Sequence, residues 1–121
     1  MSLPPLVAPT ARVAAPDTAT VEWDLVEDAV RWPPEAYRVL ARDPRLGPLT
    51  LDQLPSQLLA GDRPLLCRMV TAALVHGRPL DGVVRLDHRP APAAAVRCTG
   101  RPRLGPDGQV VSLRMEITLV R

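Results

Sequence analysis

The chain has 121 residues, enough for one domain built on a single core. Hydrophobic residues at 46% and charged residues at 23% mark it as globular rather than disordered. Fifteen bases, all of them Arg, against thirteen acids leave a net charge of +2, too balanced for a module that binds nucleic acid by counterion release.

No stretch reaches the roughly 18 apolar residues of a membrane span. Pro4, Pro5 and Pro9 interrupt the start of the chain, so it lacks the unbroken apolar run of a signal peptide. Cys67 and Cys98 allow one disulfide at most and do not make a secreted framework, so the expectation is a cytoplasmic protein with reduced thiols.

Residues 1–19 carry four prolines and several alanines without a sustained period, and read as a flexible or extended arm before a domain over 20–121. Val21, Trp23 and Leu25 alternate with Glu22 and Asp24, the period-2 signature of a half-buried strand. Glu27 and Asp28 make a turn, and Val30 and Trp32 continue the alternation, which predicts a hairpin. Pro33, Pro34 and Glu35 open a helix with Tyr37 and Leu40 on its buried side.

Thr50-Leu51-Asp52-Gln53 fits a capping box, with Leu51, Leu54, Leu58 and Leu59 as the apolar face of the next element, and Pro55 makes that element short or kinked. The strongest helix signal spans 63–76, with Asp62 as N-cap and Gly77 and Pro79 as the stop. Leu65, Leu66, Met69, Val70, Ala73 and Leu74 form its stripe.

Three strand patterns come after it. Leu80, Gly82, Val84 and Leu86 share a face, and so do Val96, Cys98 and Gly100, opposite Arg97, Thr99, Arg101 and Arg103. A turn over 105–108 leads to Val111, Leu113, Met115, Ile117 and Leu119, which alternate with Ser112, Arg114, Glu116 and Thr118. The order β-β-α-α-α-β-β-β predicts an α+β domain, an antiparallel sheet with helices packed on one face.

Val21-Glu22-Trp23-Asp24-Leu25, Val30-Arg31-Trp32 and Pro34-Glu35-Ala36-Tyr37-Arg38-Val39-Leu40 together resemble the opening of bacterial PAS sensor domains. Pro48-Leu49-Thr50-Leu51 is similar to that family's link into its middle helices, and Gly61-Asp62-Arg63 stands where the family has a His-Pro-Asp-Asp-Arg run. His76-Gly77-Arg78-Pro79-Leu80 with Val84-Arg85-Leu86, then Asp107-Gly108-Gln109 and Glu116-Ile117-Thr118, resemble its helix exit, final turn and closing signature. Three departures stand out: His88-Arg89-Pro90-Ala91-Pro92 in place of an Asp-Gly hairpin tip, small residues near Ala94 and Ala95 in place of the Trp that commonly follows it, and the missing histidine before Asp62. The resemblance implies a five-stranded antiparallel PAS-like sheet. It also implies a signalling module that dimerises or docks a fused or neighbouring effector domain, with no catalysis of its own.

The residues offer little chemistry. Cys67 lies inside the long helix, away from the cysteine of flavin-binding relatives, and reads as a structural, half-buried thiol; Cys98 reads as a buried one. His76 suits a helix C-terminus and His88 a solvated loop, and neither has a partner at metal-ligand spacing. Ser2, Ser56 and Ser112 lack a nucleophile-elbow setting, so neither an enzyme nor a resident cofactor or metal is expected. Arg97, Arg101 and Arg103, with Arg85 and Arg114, read as the solvated face of a sheet in a lysine-free protein rather than a surface for an anionic partner, and the few aromatics, all fitting the core, leave no stacking platform for nucleic acid. Val84, Val96, Cys98, Leu113, Met115 and Ile117 point inward and would line any cavity, so a ligand held there would be small and apolar.

Overall fold

The computed structural model describes residues 17–87 and 95–120. The first strand, β1 (Thr18–Asp24), buries Ala19, Val21 and Trp23 on one side and leaves the side chains between them partly exposed. Thr18 and Ala19, assigned from sequence to the arm, are thus strand residues; residues 1–16 lie outside the described part of the chain.

The predicted hairpin forms, with β2 (Ala29–Arg31) antiparallel to β1 and Glu22 opposite Arg31. Its turn starts two residues earlier than expected. Asp24 Oδ1 accepts from the backbone N–H groups of Val26 and Glu27, each at 3.0 Å, so the chain leaves the strand at Leu25, which is exposed. Asp28 closes the turn at φ 55°, a left-handed conformation that a short polar side chain tolerates.

Helix α1 (Pro34–Val39) begins on proline and carries Glu35 in its first turn. Its buried face is Ala36 and Val39, continued by Leu40 as expected, while Tyr37 is only partly buried. Tyr37 packs edge-on against Trp32, ring centroids 5.2 Å apart. Trp23 supplies the neighbouring anchor, donating from Nε1 to Leu49 O at 2.9 Å and so tying the adjoining loop to the sheet.

The capping box is present and reciprocal. Gln53 N donates to Thr50 Oγ1 at 3.3 Å and Thr50 N donates to Gln53 Oε1 at 3.2 Å. The element it opens is a 3₁₀ turn over Leu54–Gln57 instead of an α-helix, because Pro55 cannot donate to an i−4 carbonyl. This turn is tied to the end of the third strand through Leu59 N to Arg85 O, Asp87 N to Gln57 O and a bridge between Leu58 and Leu86.

A further 3₁₀ turn, Ala60–Asp62, enters α2 (Arg63–His76), whose span matches the sequence expectation. Leu66 and Ala73 are fully buried, and Leu65, Met69, Val70 and Leu74 pack around them. Gly77 ends the helix at φ 65°, with Gly77 N bonded to Ala73 O and Arg78 N to Ala72 O.

Strands β3 (Leu80–Arg85), β4 (Ala95–Leu104) and β5 (Val110–Val120) complete a fully antiparallel sheet of order β2-β1-β5-β4-β3. The predicted tip at His88–Pro92 lies outside the described residues. The helices cover one face, and the core fills the space between them and β1, β3, β4 and β5.

Two glycines set the spacing of these layers. A Cβ on Gly82 would lie 2.6 Å from Met69 Sδ, a flexible thioether able to move. A Cβ on Gly100 would lie 2.7 Å from the carbonyl oxygen of Arg114, which the sheet holds in place. Gly100→Ala is therefore expected to cost about 1–3 kcal/mol, measured by urea unfolding, while Gly82→Ala costs less; equal costs would show that β4 and β5 can part as easily as Met69 can turn.

Candidate functional site

The six residues singled out for a cavity wall come from the three strands that succeed α2. Val84 on β3, Val96 and Cys98 on β4, and Leu113, Met115 and Ile117 on β5 are all buried on the helix-covered face, none more than 3% exposed. Cross-strand pairing puts Val84 opposite Val96 and Cys98 opposite Ile117. The only hetero atoms in the set are two sulfurs, and burial pushes the Cys98 thiol up to about 12, which removes it as a nucleophile near neutral pH.

Cys67 is exposed on α2 rather than half-buried, because its position falls outside the stripe formed by Leu66, Met69, Val70 and Ala73. His76 is exposed in the last turn of α2, and His88 lies outside the described residues. Among the described residues no three His, Cys, Asp or Glu side chains come together as metal ligands.

Two buried side-chain polar atoms find no partner among the described residues, the indole Nε1 of Trp32 and an amide oxygen. Gln57, 7% exposed, sits in the turn tied to the end of β3, and its Oε1 finds no donor among the described residues. Nothing in the sequence pattern marked it, since a Gln between Ser56 and Leu58 looks like ordinary surface.

Asp62 also departs from expectation. It holds the N-cap position of α2 but makes no capping bond. Its carboxylate reaches β3 instead, where Oδ2 accepts from Arg85 N at 2.8 Å and Arg85 Nε at 2.9 Å, and Oδ1 accepts from Arg85 Nη2 at 2.8 Å. This paired, charge-assisted contact outcompetes a single capping bond. The Arg85 guanidinium and backbone N–H hold the Asp62 carboxyl down from 3.8 to about 2. A lowered carboxyl pKa adds stability that is present above the unfolded value and is lost as pH falls through the folded one. Wild type should therefore lose stability between about pH 4 and about pH 2 through Asp62, and Asp62→Asn should flatten that part of the profile in thermal melts; an unchanged acid limb would show the contact adds nothing to folding.

The opposite face of the sheet is open and polar. Arg97 meets Asp81 in a two-point ion pair, Nη2 to Oδ2 at 2.7 Å and Nε to Oδ1 at 3.0 Å. Arg31 lies 3.6 Å from Asp24 and 3.9 Å from Glu22. Between these pairs Arg101 on β4 stands directly opposite Arg114 on β5, beside a shallow depression that Thr20, Thr99, Gly100 and Glu116 also line. The sequence reading of a solvated Arg face thus describes the exposure correctly but not the pairing.

A five-stranded antiparallel sheet in the order 2-1-5-4-3, with short helices and one long helix on a single face, is the architecture of PAS and LOV sensory domains. The structure superposes on a domain assigned to a light and redox sensing histidine kinase of Haloarcula marismortui with a TM-score of 0.75 at 14% identity, covering 95% of this chain and 99% of that one. It matches the N-terminal domain of a diguanylate cyclase with PAS/PAC sensor from Marinobacter aquaeolei at a TM-score of 0.70 and 13% identity, over 83% of this chain and 92% of that one. An RNA-binding light-oxygen-voltage receptor matches at a TM-score of 0.71 and 21% identity over 86% of this chain, which spans 30% of that receptor's length. No protein-family model and no curated protein matches the sequence. The chain has the PAS fold. Among the described residues, no helix is long and apolar enough to cross a membrane.

Proposed function

We propose that this chain is a PAS-like signalling module that dimerises, or docks a fused or neighbouring effector, in the cytoplasm of a bacterium and performs no catalysis of its own. The observation that carries this reading is the match along nearly the whole length of a sensing-kinase domain. In support, the one titratable group among the six inward residues is a thiol raised by burial, whereas the other face of the sheet carries the Arg31–Asp24 and Arg97–Asp81 ion pairs. The arm over 1–16, carrying Leu3, Leu6, Val7 and Val13, is assigned to self-association. Native mass spectrometry is expected to find a dimer, and deletion of residues 1–16 to shift it toward monomer; a dimer indifferent to the deletion would remove the arm from the interface.

A second reading, a sensor for a small apolar ligand, is favoured by the unpartnered Gln57 Oε1. Val84, Val96, Cys98, Leu113, Met115 and Ile117 would supply apolar wall, and Gln57 would accept one hydrogen bond from the ligand. On this reading freshly purified protein carries extra mass that denaturation releases, and Gln57→Leu loses it. A clean apo mass in wild type, together with stabilisation of Gln57→Leu by about 1 kcal/mol through loss of an unsatisfied acceptor, would overturn it.

A further inference from the structure

Arg101, Arg103 and Arg114 are exposed on the outer face of the sheet, and none of their side chains makes a hydrogen bond or ion pair with any described residue. All thirteen Asp and Glu of the chain fall within the described residues, and those nearest, Glu22 opposite Arg114, Glu116 beside Arg101, and Asp24 and Glu27 near Arg103, form no ion pair with these arginines. Arg101 and Arg114 are direct cross-strand partners, an arrangement in which like charges destabilise a sheet. Arg103 lies two residues further along β4 on the same face, about 7 Å away.

The arm cannot supply the missing charge, since residues 1–16 contain no carboxylate. Of the acids a second copy could bring, Glu22, Asp24, Asp43, Asp62 and Asp81 each already lie against an Arg, so only carboxylates outside these pairs, such as Glu27, Asp28, Glu35 and Asp52, could serve. A nucleic-acid backbone is disfavoured by Glu116 beside Arg101 and Arg114, and by Glu22, Asp24 and Glu27 around the depression that Arg103 borders. The described aromatics give it no platform either: Trp23 is buried and Trp32 packs on Tyr37. An extended polypeptide differs from a phosphate chain in carrying charge only where its side chains put it. With acids on alternate residues it matches the spacing of Arg101 and Arg103 along β4 and presents small neutral groups to Thr20, Thr99 and Glu116.

We propose that Arg101, Arg103 and Arg114 form a docking patch for an extended acidic segment of a partner protein. This rests on the reading of the domain as a docking module and names the chemistry of what docks.

The test is fluorescence anisotropy of the full chain at low salt with a labelled dodecapeptide of alternating Glu and Thr. Wild type should bind it and ignore the Gln-Thr counterpart. Arg101→Gln combined with Arg114→Gln should weaken binding about tenfold, and Arg103→Gln alone should weaken it less. Arg97→Gln removes the same charge from the same face but from a satisfied pair, and should leave binding within about twofold. Because the double variant relieves a like-charge contact, its melting temperature should equal or exceed that of wild type; a clear fall would make the pair structural and overturn the proposal.

An equal loss in Arg97→Gln, or unaltered binding in the double variant, would also overturn it. So would an oligothymidylate of the same length binding as tightly as the peptide, which would make the occupant nucleic acid. Sedimentation showing that the double variant dissociates a dimer would make the occupant a second copy. A domain that dimerises yet ignores the peptide overturns this inference alone, while a monomer that binds the peptide overturns only the dimer reading.

Discussion

The architecture depends on β5, the last strand in the sequence and the middle strand of the sheet. It pairs with β1 along all seven residues of that strand and with β4 along nearly its whole length. Thr18 and Thr118, a hundred residues apart, meet across this ladder. Until β5 arrives, β1 with β2 and β3 with β4 are two separate hairpins, neither able to bury its apolar face. Leu113, Met115 and Ile117 join the two, and each such fully buried side chain contributes about 1.5–3 kcal/mol relative to an exposed one. The entropy of closing so long a loop must be met before those contacts form, so the fold should be set late and as a unit.

Elements whose shape is decided within a few residues were legible in the sequence. The span of α2, the capping box at Thr50, the glycine stop at Gly77 and the alternation of β5 all arise from local stereochemistry and period. The hidden features were settled by particular partners that a period does not show. Asp62 is a good N-cap until Arg85 arrives from a strand 23 residues later and offers three donors to one carboxylate. Tyr37 looked like core because its spacing from Leu40 fits a helical stripe, but Trp32 provides a nearer aromatic edge. Leu25 continues an alternation that Asp24 ends by turning its carboxylate onto the next amides.

The inward set was legible as a face because period 2 suffices to sort a strand's residues. Its polar exception, Gln57, was not, because the burial of a turn residue depends on what covers it. The outer face shows the same limit from the other side. Its basic residues were visible in sequence, but which of them were already satisfied required the register: Arg97 is diagonal to Asp81, whereas Arg101 meets Arg114. Charge count alone makes these arginines equivalent, and pairing makes them different.

Leu119 N donates to Asp17 O at 2.8 Å, so the backbone enters β1 and leaves β5 side by side at one end of the same ladder. A tension pulling residue 17 away from residue 119 would load that terminal bond first and then each rung in turn, peeling β1 from β5. It would not shear the whole ladder at once. The domain would therefore yield to small forces applied at this point, and any mechanical pull passed along the polypeptide would be felt first at the strand that holds the sheet together.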